Sequence, residues 1–365
     1  MKTCKEKKKI ISPFAILSVS LFIIIGLLYF ISDISYAAAD FLNGTLCHAF
    51  RILMARIGDI FPFSLLEAFI ICLPVIIFLV IYRAVRAFSD PARRLRFVID
   101  LAAFILLIYS GHLLALGVAH NTTPLSERMG LSEVEVSEEN LADTLTDLVN
   151  ELNSLAPAVS RDADGVFIHG RSYDEVSEII CPLYDSFAEQ YGLPRGYSSR
   201  AKGVRNGWAM SYLGITGIYS YITGEANVNT YYPDYVTLFT TAHEMSHQRG
   251  ILRENEANFV AYILLSSSED ESLRYSAALN MYSYFASALY RTDKDIYLQI
   301  VSSLSDTVKT DIRAANAVSD KYGDTFIEDI SEWINDLYLE SSGSEGVISY
   351  SRVVELVLAY RKACE

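Results

Sequence analysis

The sequence predicts an α+β, mostly helical protein in which three membrane-spanning helices precede a water-facing domain. Three observations predict it. Three long apolar runs fall within the first 120 of the 365 residues. From residue 235 onward, apolar residues recur at helical spacing in one segment after another. Between these regions, residues 208–229 mix glycines with β-favouring residues, the pattern of a few short strands.

The first apolar run, 10–32, contains no charged residue. At ~1.5 Å per residue it can cross the roughly 30 Å hydrocarbon core of a bilayer. The second, 61–82, is broken only by Glu67 near its start. The third, 97–119, carries Asp100 near one end and His112 in its middle. His112 is either a functional group within the membrane or a neutral imidazole satisfied among the helices. Orientation follows from the basic residues. Lys2, Lys5, Lys7, Lys8 and Lys9 precede the first run, and Arg83, Arg86, Arg93, Arg94 and Arg96 separate the second from the third. The intervening loop, 33–60, has only Arg51 and Arg56. This pattern places the N-terminus in the cytoplasm and the C-terminal domain outside it. A cleaved signal peptide ending at Ala37-Ala38-Ala39 is the rival reading. The run is longer than a signal peptide needs, however, and two more spans follow. The chain therefore divides into a membrane region, 1–120, and an extracytoplasmic domain, 121–365.

Charge separates the two parts further. Residues 1–119 hold 12 Lys/Arg against 7 Asp/Glu, and the remainder holds 18 against 37, for a chain total of −14. So acidic a domain repels phosphate backbones, which excludes nucleic acid as a partner. It also repels an anionic lipid surface, so it is expected to stand off the membrane. The five cysteines are scattered, with no C-x-x-C pair. They form neither a disulfide framework nor a cysteine metal site, and only a Cys181–Cys364 bond stays open.

Within the domain, 121–128 reads as a polar exit linker, and 137–155 and 172–191 read as helices. A turn-rich stretch covers 161–173, with a short strand at 166–169, and 194–207 reads as a basic loop. One or two strands are expected in 208–222 and another at 224–229. Helices then follow at about 235–249, 254–267, 270–290, 293–303, 306–321, 325–339 and 348–363.

The chemistry concentrates in one of these helices. His243-Glu244-Met245-Ser246-His247 places two imidazoles four residues apart, on one helical face, where both can reach one metal ion. Glu244 lies one residue along and can reach a metal-bound water without ligating, as a general base must. Gly250 can end the helix in a left-handed cap. A new helix then begins at Arg253-Glu254-Asn255-Glu256-Ala257-Asn258 and supplies a third ligand, which a zinc catalyst needs. Glu254 and Glu256 are both candidates. They sit about 200° apart around one helix, so only one of them can ligate.

Glu254-Asn255-Glu256-Ala257-Asn258 resembles the E-x-x-x-D/N ligand helix of gluzincin peptidases. That resemblance implies a zincin-like fold, Glu254 as the zinc ligand, and Asn258 as the partner that supports a ligand histidine. The spacing of seven residues from His247 to Glu254 is much shorter than in most gluzincins, and Arg253 stands where metzincins carry a third histidine. The run 256–261 is also similar to zinc peptidases that cleave phage-type repressors. The chain as a whole resembles a bacterial membrane family known as domain of unknown function 3810. Three features carry that resemblance: Gly-Glu-Ala-Asn-Val-Asn at 224–229, His-Glu-Met-Ser-His-Gln-Arg-Gly at 243–250, and a Gly-x-x-Ser-Tyr segment at 346–350. It implies a multi-pass protein of the bacterial cell membrane.

Several other residues are candidates. Glu225, Asn227 and Asn229 lie on one face of a strand that could pair with extended substrate at a sheet edge, or simply belong to a hairpin. Tyr231, Tyr232 and Tyr350 could each donate to an oxyanion, among 24 tyrosines that are mostly structural. Arg249 and Arg253 are expected to pair with Glu254 and Glu256 rather than bind a substrate carboxylate, and Trp208 is expected in the core. The sum is a membrane-anchored zinc metallopeptidase acting on a peptide or protein substrate. The alternatives are a zinc-binding membrane sensor without peptidase activity and a hydrolase of cell-wall peptide crosslinks.

Overall fold

The fold is described from a computed structural model covering residues 11–197, 199–322 and 348–364. The basic cluster Lys2 to Lys9, the expected helix at 325–339 and the side chain of Tyr350 lie outside the described residues.

The chain opens with α1 (Pro13–Asp33), whose first turn is fixed by Pro13 and by the Ser12 hydroxyl accepting from the Ala15 amide. The short α2 (Tyr36–Leu42) passes through a π-turn (Asn43–Cys47) into α3 (His48–Asp59). Next come α4 (Leu65–Ala87) and α5 (Pro91–His112). The latter continues through a second π-turn (Leu113–Gly117) into α6 (Val118–His120). Among the described residues, three helices, α1, α4 and the α5–α6 rod, are long and apolar enough to cross a membrane. α1 packs along α5, whereas α4 buries none of its residues. A helix that is apolar all round with so little protein around it suits a lipid surround.

The remaining elements are α7 (Leu125–Arg128), α8 (Glu138–Leu155), α9 (Tyr173–Tyr191), β1 (Lys202–Val204), α10 (Trp208–Ser211), β2 (Gly217–Ser220) and β3 (Glu225–Asn229). They lead into α11 (Asp234–Gln248), α12 (Glu254–Ser266), α13 (Glu271–Thr292), α14 (Lys294–Ser302), α15 (Asp306–Tyr322) and α16 (Ile348–Cys364). Local chemistry sets several starts. Ser172 and Glu175 form a reciprocal capping box at α9, and Asp270 and Asp293 cap α13 and α14. The helices pack around one core that includes Leu148 and Leu152 of α8, Met245 of α11, Phe259 of α12 and Phe285 of α13. Beside it lies a three-stranded sheet of order β1-β3-β2, with β3 parallel to β1 and antiparallel to β2.

The structure departs from the sequence reading in several places. The inter-span loop 33–60 is mostly helical. On α3, Leu53 and Ile57 are exposed along one face while Arg51, Ala55 and Gly58 are buried on the other. The loop expected at 194–207 contains β1, and Trp208, expected in the core, is 49 % exposed. The stretch 121–128 is no free linker: the Thr123 amide and hydroxyl donate to Asp40, and the Leu125 amide donates to Glu256.

The acidic domain also packs against the segment that joins the first two apolar helices. The Lys202 ammonium donates to the carbonyls of Gly58, Phe61 and Phe63 and pairs with Glu225 at 2.7 Å. Net charge describes the distant field of a domain, whereas these contacts are short, buried and paired. Cys47, Cys72, Cys181 and Cys364 are all free thiols, so the Cys181–Cys364 bond is not made.

Candidate metal centre

Two helices meet at the site. α11 carries His243, Glu244 and His247, and its outer side is buried against α12, α13 and the sheet. Its back is held by Tyr184, which donates to the Ala242 carbonyl at 2.5 Å and bonds Ser246. Its end is pinned by Gln248, which donates to the Gly224 carbonyl at 2.7 Å. Gly250 then reverses the chain at φ +87°. Glycine is needed there twice over, because a Cβ would also lie 2.6 Å from a guanidinium nitrogen of Arg51. Four residues later α12 begins, and its first residue is Glu254.

This reversal brings His243, His247 and Glu254 together. The ligand-type atoms of the three all lie within 4.8 Å of one another. His243 Nε2 stands 3.2 Å from Glu254 Oε2, and His247 Nε2 stands 3.4 Å from Glu254 Oε1. A tetrahedral zinc with bonds of about 2.0–2.1 Å separates its donors by about 3.3 Å, so the donor set and its spacing both fit that ion. The Ile251 carbonyl lies 2.9 Å from His247 Nδ1. It fixes the tautomer that leaves Nε2 free to ligate. Burial disfavours a charged His247, but the Glu254 carboxylate outweighs it and raises the imidazole to about 9. Burial pushes Glu254 up, and His247 outweighs that, holding the carboxyl well below its usual range. Such mutual attraction marks a cluster in which a cation can replace a proton. The Glu254 side chain is 35 % exposed, so the cluster is open on one side.

Glu244 points elsewhere, toward β2. It is buried, and the Tyr219 backbone N–H donates to its carboxylate. Burial raises its carboxyl above the usual range, against the lowering pull of the two histidines. β2 passes so close that a Cβ on Gly217 would sit 2.7 Å from Glu244 Cγ and Oε1.

The other candidate residues separate cleanly. Glu256 faces away from the histidines, accepting from the Leu125 amide at 2.8 Å and from Arg253 at 3.0 Å. Asn258 makes no hydrogen bond to either histidine. The Ile251 carbonyl takes the supporting role at His247, and His243 Nδ1 has no partner among the described residues. Arg253 pairs with Glu256, but Arg249 pairs with neither glutamate. It stacks on Tyr184 and Tyr197 and donates to the Met245 carbonyl, closing the helix end.

Glu225, Asn227 and Asn229 do not line an open edge. β3 is the central strand, and every one of its residues is buried. Glu225 caps α4 through the amides of Leu65 and Leu66, Asn227 accepts from Ser64, and Asn229 donates to Ser211 and the Ile215 carbonyl. Spacing along a strand cannot distinguish a central position from an edge. The strand that reaches the site is β2. Tyr231 is 40 % exposed and lies against Tyr322.

Sequence reasoning overlooked His120, the last residue of α6. Its backbone carbonyl accepts from Arg253 at 2.9 Å. Its ring lies within electrostatic reach of His247 and Glu254, with Nε2 buried and unpaired among the described residues. The only sequence signal was its place directly after the third apolar run. A cavity of about 210 Å³ lined by Asp40, Asn43, Arg128 and Glu256 lies nearby and includes none of the three cluster residues.

Fold and site together define a mostly helical protein that joins three apolar helices to a His-His-Glu cluster. The chain belongs to the family described as "Protein of unknown function (DUF3810)", whose model matches residues 43–358. No curated protein and no solved structure matches it.

Proposed function

We propose that this chain is a membrane-anchored zinc metallopeptidase with a zincin-like domain, hydrolysing peptide bonds in a peptide or protein substrate. The observation that carries the reading is the convergence of His243, His247 and Glu254 at zinc-ligand spacing beside the buried carboxyl of Glu244. Bound there, zinc supplies a Lewis acid that lowers the pKa of water to about 7 and polarises a carbonyl.

His243, His247 and Glu254 would hold the ion, and the exposed side of Glu254 would admit water and substrate. Glu244 is oriented by the Tyr219 amide and takes a proton at its carboxylate, later returning it to the leaving amine. The outer edge of β2, next to Glu244, is where an extended substrate would pair. The apolar helices cross a bacterial cell membrane, with the basic N-terminus in the cytoplasm and the domain from residue 121 outside.

Glu244→Gln separates this reading from that of a zinc sensor. The variant should keep its zinc and its fold while losing cleavage of a peptide library by ~10²–10⁴. Zinc content and cleavage, measured side by side, decide the matter. Equal cleavage by both proteins would remove Glu244 from the chemistry.

A further inference from the structure

We infer that the substrate is a membrane-tethered polypeptide, cut close to where it leaves the lipid. The inference rests on the peptidase reading above and adds the substrate's location. It begins with two braces between α1 and α5–α6. At one end the Ser12 hydroxyl donates to Asp100 at 2.5 Å. At the other, Asn121 donates to the Ser32 hydroxyl at 3.1 Å. The 20 residues of helix from Ser12 to Ser32 rise about 30 Å, the thickness of a hydrocarbon core. His120 and Asn121 therefore mark the boundary on the domain side.

The metal cluster lies against that boundary. Arg253, the residue before Glu254, donates to the carbonyls of His120 and Thr122. Leu252 and Tyr219 share one buried cluster with Ala115, Leu116 and Ala119 of the third spanning helix. Leu252 and Glu254 are two positions apart, at most about 7 Å of chain.

Contacts with α3 and α4 hold the site in place. Glu225 caps the first turn of α4, and Gly224 is so close to α3 that a Cβ there would lie 2.2 Å from the Met54 backbone. Apolar side chains are exposed on the same segments: Ile60 at 73 %, Phe63 at 47 %, Trp208 at 49 %, and Ile218 and Ile222 on and beside β2 at 40 and 47 %. Aromatic and apolar groups of this kind settle at a lipid–water interface. The strand nearest Glu244 thus presents an apolar outer side at lipid level. A chain emerging from the bilayer reaches that edge within its first few residues, whereas a free soluble chain must approach a surface facing lipid.

The test uses the full-length protein, zinc-loaded and reconstituted in phospholipid vesicles. The probe is a pool of polypeptides, each with one transmembrane helix followed by a randomised segment of about 30 residues, which spans ~100 Å when extended. A second pool replaces the helix with an N-terminal acyl chain, and a third has no anchor. Cut sites are mapped by mass spectrometry, with Glu244→Gln as the blank. The expected result is a set of cuts clustered within about ten residues of the anchor, a reach of ~33 Å. Clustering with the helix pool alone assigns a membrane-spanning substrate. Clustering with both anchored pools extends the class to lipidated chains. Cuts spread evenly along the segments, with the unanchored pool cut at the same sites, overturn the inference and leave the peptidase reading standing. No cleavage above the blank in any pool overturns both.

Discussion

The helix pair α11–α12 delivers all three members of the His-His-Glu cluster from the twelve consecutive residues 243–254, held by one glycine reversal. The residues packed around that pair are assembled differently. They include Arg51 from α3, His120 from α6 and Gly217 and Tyr219 from β2, segments far apart in the chain. Arg51 shows the difference best. It is fully buried with no carboxylate partner among the described residues, donating to the Tyr197 hydroxyl, the Ala115 carbonyl and both oxygens of Asn43. The helix pair holds the chemistry through local helical geometry. The residues around it fix where that chemistry sits, through long-range polar contacts. Damage to the first should remove metal, and damage to the second should remove stability or alignment.

The largest effect is expected at the histidines. His243→Ala or His247→Ala should reduce bound zinc from about one per chain to near none while the fold persists. Metal analysis of the purified protein checks this, and full zinc in both variants would end the assignment. Glu254→Gln should come next, releasing zinc at a chelator concentration that the wild type survives. Glu256→Gln should keep its zinc and instead lose on the order of 1–3 kcal/mol of stability, because the Leu125 amide and Arg253 lose their charged acceptor. The opposite ranking would exchange the two roles.

Arg51→Met should leave zinc content unchanged but lower the thermal unfolding temperature in detergent, at a cost of about 1–3 kcal/mol for its stranded acceptors. Loss of zinc with unchanged stability would erase the contrast between the two regions. The smallest change, Gly217→Ala, should retain metal and fold but displace β2 from Glu244. Peptidase activity should fall, by up to ~10²-fold for a shift of about 1 Å. Unchanged turnover would show that the base tolerates the movement.

This contrast also explains what could be read in advance. The three apolar helices and the long helices from α8 to α15 declare themselves by composition and period. So does the pairing of His243 with His247, because residues four apart share one face of a helix. The choice between Glu254 and Glu256 was open because both begin the same helix. Only the packing of α12 turns one to the histidines and the other to the Leu125 amide. Glu225, Asn227 and Asn229 alternate along β3 as edge residues would, yet β1 and β2 flank them on both sides. Arg51 and His120 gave no local sign, since their partners lie from 8 to 146 residues away.

The two braces between α1 and α5–α6 bear on how the protein meets bilayers of different thickness. A lone spanning helix absorbs hydrophobic mismatch by tilting independently. Ser12–Asp100 and Ser32–Asn121 tie this pair at both ends, so the two helices must lean together. Because Arg253 clasps the top of that rod, any lean is carried directly to Glu254 and the histidines. If the rod spans a bilayer as proposed, lipid chain length would become a mechanical input to the angle at which the cluster sits.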